Sequence, residues 1–202
     1  MRKSLGKRGA GLKKGLGKRS RALRRRLARA AVYSRTLVRV KHYRGRKVHS
    51  PFVYGIVRNA IMKTTPQGGD RTLFDGLRER GFSVKRAAQL QNLYTYRGYT
   101  SAVFAEGGDA PDGAALDAGT LCLGAGTLCF AMPTLPPEQT RALVERARGT
   151  GAAICVVAPY ENRARLRLAR ELVEAHRHTS VDNRGFLLIF TDERLPKQHF
   201  KL

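Results

Sequence analysis

Few side chains in this sequence stand at the spacings that chemistry needs. His49 and Ser50 set a base beside a hydroxyl, the two halves of a nucleophilic couple. Adjacent residues diverge around a helix, and no acidic residue is near to orient the imidazole, so Ser50 reads as a helix cap instead. His176 and His178 stand two apart, the spacing at which a strand would place two metal ligands on one face. No Asp, Glu or Cys cluster accompanies them, and they read as surface histidines at a helix end, where the helix dipole favours them. Glu106, Asp109 and Asp112 offer oxygen ligands to a hard cation, but their Gly- and Ala-rich surroundings read as a solvated loop. Cys122, Cys129 and Cys155 are odd in number, lie in apolar runs and form no CxxC pair. That pattern excludes a disulfide framework or zinc site and reads as buried small hydrophobes in a reducing cytoplasm. No metal is expected, and these types and spacings name no catalytic residue.

The strongest chemical signal is cationic. Residues 1–69 hold 21 of the 39 Lys and Arg and no Asp or Glu. Residues 70–202 hold the other 18 against all 15 acidic residues, so only +3 of the net +24 belongs to them. Clustered cations release counterions from phosphates, which gives affinity without sequence specificity. Lys13, Lys14, Arg24, Arg25, Arg26 and Arg29 are the expected phosphate contacts, with RNA, DNA or the ribosome as partner. Tyr33 and Tyr43 add little stacking surface, and no RNA-binding signature is present. Other readings of the same stretch stay open: an amphipathic helix on anionic lipid, an Arg-rich transit peptide, or an over-extended translation start covering residues 1–30. No apolar run approaches the roughly 20 residues of a membrane span, and no secretory apolar region precedes the basic stretch.

Elements follow from the spacing. Residues 1–19 alternate glycine with basic pairs and read as a flexible arm. Within 20–44, Leu23, Leu27, Ala30, Ser34 and Leu37 recur at helical spacing, with arginines on the remaining circumference, which predicts a basic amphipathic helix. Ser50 and Pro51 open a further helix with Phe52, Ile56, Val57 and Ala60 on its apolar face. LFDGLRERGF, stopped by Gly81, and VKRAAQLQNLYTYRGY predict two more. SAVFAEGG reads as a strand running into a glycine turn, and PPEQTRALVERARG as a helix. AAICVVAPY is a continuous apolar run of the kind buried on both faces in a parallel sheet. ENRARLRLARELVEAH is the next helix, and HTSVDNRGFLLIF a hairpin with Asp182 and Asn183 in its turn.

The stretch HYRGRKVHSPFVYGIV resembles the opening of a group of bacterial class I S-adenosylmethionine-dependent methyltransferases, which begin with a Gly-x-x-x-His-Ser-Pro-Phe-like motif. Gly45, His49, Ser50, Pro51 and Phe52 match it. The ending VDNRGFLLIFTDERLPKQHFKL resembles theirs too, through the hairpin and Lys197, Gln198, His199 and Phe200. The resemblance implies a cofactor, S-adenosylmethionine, held on a glycine-rich loop after the first strand. Two stretches answer to that loop: Glu106, Gly107 and Gly108, or Gly124 and Gly126. Cys122 stands where an acid is usual, and Leu128 where a third glycine is usual.

A seven-strand sheet with its crossovers needs roughly 130 residues, from strands of about 5–6 and crossovers of at least about 10–12. Only 102 remain from Ser101 onward. The expectation is a small Rossmann-like α/β domain over 45–202, mostly parallel with a C-terminal antiparallel hairpin and preceded by N-terminal helices. It is expected to be shortened in the middle and catalytically degenerate. The alternatives are a non-enzymatic nucleic-acid- or ribosome-associated basic protein, and an active small methyltransferase.

Overall fold

A computed structural model describes residues 48–107 and 123–202. The arm 1–19, the basic helix 20–44, Cys122, Gly108, Asp109 and Asp112 lie outside the described residues. Everything described belongs to one unit, His42–Leu202.

Helix α1 (Pro51–Ile56) starts where the sequence places it. Ser50 Oγ accepts from the Val53 amide at 3.4 Å, and Pro51 fills the first turn, where a missing N–H costs nothing. The next turn, Val57–Ile61, widens to π-helical geometry. Helix α2 (Thr72–Glu79) ends before Gly81, whose φ of +81° suits a residue without a Cβ. Helix α3 (Val84–Arg97) is capped by Ser83 and stopped by Gly98 in the left-handed region. Strands β1 (Ser101–Ala105), β2 (Thr127–Ala131) and β3 (Ala153–Val157) are parallel neighbours. Helices α4 (Pro137–Arg146) and α5 (Arg163–Ala175) cross between and after them, and Asn162 caps α5. Strand β4 (Thr179–Asp182) and strand β5 (Phe186–Phe190) form the hairpin, and β6 (Gln198–Lys201) closes the series.

The sheet order is β1-β2-β3-β5-β4-β6, with β5 antiparallel to both β3 and β4 and β6 parallel to β4. The fold is therefore the expected small Rossmann-like α/β sheet, mostly parallel, with an antiparallel hairpin inserted. Side chains alternate across it. Ala153, Cys155 and Val157 of β3 face a core built with α1, α2 and α3. Ile154 and Val156 face the opposite core, built with α4 and α5. Burying both faces is what makes β3 read as an unbroken apolar run. β2 and β6 are absent from the sequence reading: TLCFA lies inside a longer apolar stretch broken by glycines, and QHFK carries no alternation of apolar residues and is only slightly buried.

Buried polar side chains bind the helical layer together. Gln89, Gln91 and Asn92 of α3 are all buried. Gln91 accepts from the Phe74 amide at 2.9 Å. Asn92 accepts from Gln67 at 2.6 Å and donates to the Thr65 carbonyl at 3.0 Å. Gln89 donates to the Ile61 carbonyl and accepts from Asn183, so the helix also grips the hairpin turn. These amides satisfy backbone groups at helix ends, Phe74 N–H and Ile61 C=O, and in the chain between helices, at Thr65 and Gln67, that no intrahelical bond reaches.

Candidate functional site

In open α/β sheets ligands bind beyond the carboxyl ends of the strands. Ala105 pairs with Ala131 and Ala131 with Val156, so β1, β2 and β3 end on one edge. Glu106–Gly107, Met132–Thr134 and Ala158–Tyr160 leave from it.

Described residues pack closely at that edge. The Gly107 amide donates to Thr134 Oγ1 at 3.4 Å, and the Met132 amide to the Ala105 carbonyl at 3.0 Å. A Cβ on Gly107 would lie 2.6 Å from Pro136 Cδ and 2.7 Å from the Thr134 carbonyl oxygen. Gly107 is thus a glycine because the turn after β2 packs on it. Glu106 pairs with Arg80 at 3.4 Å, and the Arg80 guanidinium lies over the Phe104 ring at 4.1 Å. Between β2 and β3 the edge is closed by Arg165, which is 6% exposed. Its guanidinium donates to the carbonyls of Val157 at 2.5 Å, Pro133 at 3.1 Å and Ala158 at 3.2 Å. Burial pulls its pKa down, and Glu161 pulls it back up. Ala158 sits at φ +49°, held by its amide on the Gly185 carbonyl. The Tyr160 hydroxyl donates to Asp182.

Gly124 and Gly126 lie at the other end of the sheet, because LGAG precedes β2 instead of following a strand. The Gly126 carbonyl accepts from the Thr100 and Ser101 amides at 2.8 and 3.1 Å. A Cβ there would lie 2.6 Å from Thr100 Oγ1, whereas nothing stands within 4 Å of one on Gly124. Five-residue strands at about 3.3 Å per residue separate the two glycine groups by roughly 15 Å. They cannot share one ligand. Gly107 therefore packs on the turn after β2, Glu106 pairs with Arg80, and Gly124 and Gly126 lie at the opposite end of the strands.

The remaining candidates resolve into structural roles. His49 is exposed beside the capping Ser50. His176 is not a surface residue, which corrects the sequence reading: it is 3% exposed, and its Nε2 bonds the Phe190 carbonyl at 2.9 Å. His178 Nδ1 meets the Leu195 carbonyl at 3.1 Å. Asp182 ends β4 and is buried, and it still shapes the turn by accepting from the Arg184 amide at 3.1 Å. Cys129 and Cys155 are fully buried, as expected. Burial pushes the Cys129 thiol up to about 12 and the Cys155 thiol well above its ordinary value, so neither is a nucleophile. Among the described residues no cluster of His, Cys, Asp and Glu suits a metal.

Sequence reasoning missed Arg165 and the burial of His176. Both residues lie on the stripe Arg165, Leu168, Ala169, Leu172, His176, every member of which is buried. A charged residue and an imidazole at the helical spacing of an apolar face were the available signal. Lys13, Lys14, Arg24, Arg25, Arg26 and Arg29 lie outside the described residues. No helix among the described residues is long and apolar enough to cross a membrane. Comparison of the chain with protein-family models, with curated proteins and with solved structures finds no match.

Proposed function

We propose that this chain is a shortened, non-catalytic relative of class I S-adenosylmethionine-dependent methyltransferases that binds RNA, DNA or the ribosome through its basic N-terminal residues. The observation that supports the loss of turnover is the packing beyond β1, where Gly107 meets the turn after β2 and Glu106 pairs with Arg80. The ancestry is supported by the opening motif at Ser50–Pro51–Phe52 and by the placement of FLLIF antiparallel beside AAICVVAPY. A reducing cytoplasm suits the buried, unpaired thiols of Cys129 and Cys155.

Calorimetric titration with S-adenosylmethionine tests the first half, and no binding is expected. Micromolar binding, or methyl transfer to RNA or protein, would overturn the degenerate reading, and transfer would make the chain an active small methyltransferase. Polyanion binding is tested by salt titration. With 15 basic residues through residue 40, affinity should fall steeply between low and physiological salt.

A second reading, a nucleic-acid- or ribosome-associated protein with no enzymatic ancestry, is favoured by the segregation of charge into residues 1–69. It predicts the same salt dependence and leaves the sheet as scaffold only.

A further inference from the structure

Two of the four large exposed hydrophobics among the described residues, Tyr54 and Tyr96, lie where α1 and α3 meet. Tyr54, Met62, Val84 and Tyr96 are the large exposed hydrophobics, at 46, 37, 53 and 45%. Three of these four belong to α1, to the end of the π-helical turn after it, or to the last turn of α3. The Tyr96 hydroxyl lies against Gly55, where even a Cβ would collide with it, so Tyr96 reaches across to the helix that carries Tyr54. Arg58, exposed, stands one turn after Tyr54. Next to Tyr96, the Arg97 guanidinium lies over the Phe52 ring at 4.7 Å, and Phe52 meets Phe190 edge-on at 5.0 Å. The ring holds the Arg97 guanidinium in place, and the same group hydrogen-bonds Tyr99 and faces Asp192, so it is a fixed cation at the foot of Tyr96.

Two exposed phenol rings interleaved with Arg58 and Arg97 are the ingredients of a stacking platform. Bases stack on aromatic side chains while guanidinium groups take the phosphates between them. A duplex keeps its bases stacked on each other and cannot use such rings. In the sequence, Arg44, Arg46 and Lys47 immediately precede the described Val48. Charge complementarity with a polyanion is thus continuous in sequence from the basic stretch into this corner.

We propose that Tyr54 and Tyr96, flanked by Arg58 and Arg97, bind unpaired bases of a single-stranded nucleic acid. This rests on the polyanion-binding reading above and adds a strand preference to it. The full chain contains seven tyrosines and no tryptophan, so its tyrosine emission can report the contact directly. Titration with a labelled single-stranded uridine oligomer should quench that emission. Tyr54→Ala combined with Tyr96→Ala should weaken single-strand binding by at least about tenfold, the scale of losing one base stack. Binding to a DNA duplex of equal length and to heparin should stay unchanged. The double Tyr→Phe variant should bind as the native chain does. A full-length variant with Arg24, Arg25, Arg26 and Arg29 changed to Gln should weaken single strand, duplex and heparin alike.

If the Tyr→Ala variant keeps its single-strand affinity while the Arg→Gln variant loses all three ligands, the platform is wrong and the polyanion reading survives. If the native chain binds none of the three, or prefers anionic phosphatidylserine vesicles to the oligomer, both are overturned. Circular dichroism matching the native spectrum establishes that the variants are folded, as expected for changes at half-exposed positions.

Discussion

Arg165 answers for three backbone carbonyls at once. Arg165→Ala should lower stability by about 2–4 kcal/mol, because buried acceptors lose their donors. Arg165→Lys should recover only part of that, since one ammonium does not reproduce a planar fork. Urea denaturation measures both, and an alanine variant as stable as the native chain would show that water takes over the three bonds. His176 makes a pH prediction. Burial lowers its pKa below the ordinary 6.5, helped by His178 and Arg148, while its hydrogen bonds to the Phe190 and Thr179 backbone act the other way. The unfolded chain therefore binds a proton that the folded chain refuses. Its contribution is complete above about 6.5 and is lost as pH falls below that value. His176→Gln should flatten the decline of the urea midpoint between pH 7 and 5, and parallel pH profiles for the two proteins would refute the assignment. These two residues were half legible. Their place on the α5 stripe is written in the spacing, but whether a polar residue on such a stripe is buried depends on carbonyls delivered by β2, β3 and β5, which are distant in sequence.

The glycines separate at the scale of elements. Gly107→Ala should drive a methyl group into Pro136 and the Thr134 carbonyl and displace the turn after β2, costing about 1–3 kcal/mol as an overpacked site. Gly124→Ala meets open space and should be nearly silent in thermal unfolding. The reverse ranking would mean that the turn after β2 yields freely and that the edge beyond β1 is open after all. Strands and helices were largely readable, because AAICVV is apolar throughout and Ser50, Ser83 and Asn162 each precede a helix they cap. The glycine groups were not readable as a pair. LGAG looks the same whether it follows a strand or leads into one, and only the pairing of Thr127 with Ser101 fixes which end of the sheet it occupies. β6 was hidden for another reason: its register is held by β4 and by the Ser180–His199 contact, not by any pattern within QHFK.

At the scale of the whole molecule, charge and fold are divided along the chain. Removing residues 1–41 leaves the unit His42–Leu202. Its urea midpoint should match that of the full chain to within about 0.5 kcal/mol, as for changes outside a packed core, while most of the polyanion affinity goes. A truncated chain that melts much earlier would mean the basic residues support the fold. The strand order has a different consequence, for synthesis on the ribosome. β5 lies between β3 and β4 in the sheet but is translated after both. When Val157 leaves the exit tunnel, the apolar strand AICVV has β2 on one side and nothing on the other until Phe186 to Phe190 follow. The nascent chain thus carries an open, hydrophobic strand edge through the whole of α5 and β4, a span in which pairing with a neighbouring nascent chain competes with folding. A stall or premature stop anywhere between Val157 and Phe186 would leave that edge permanently bare, and the product would be a substrate for chaperones and proteases, not a smaller version of the domain.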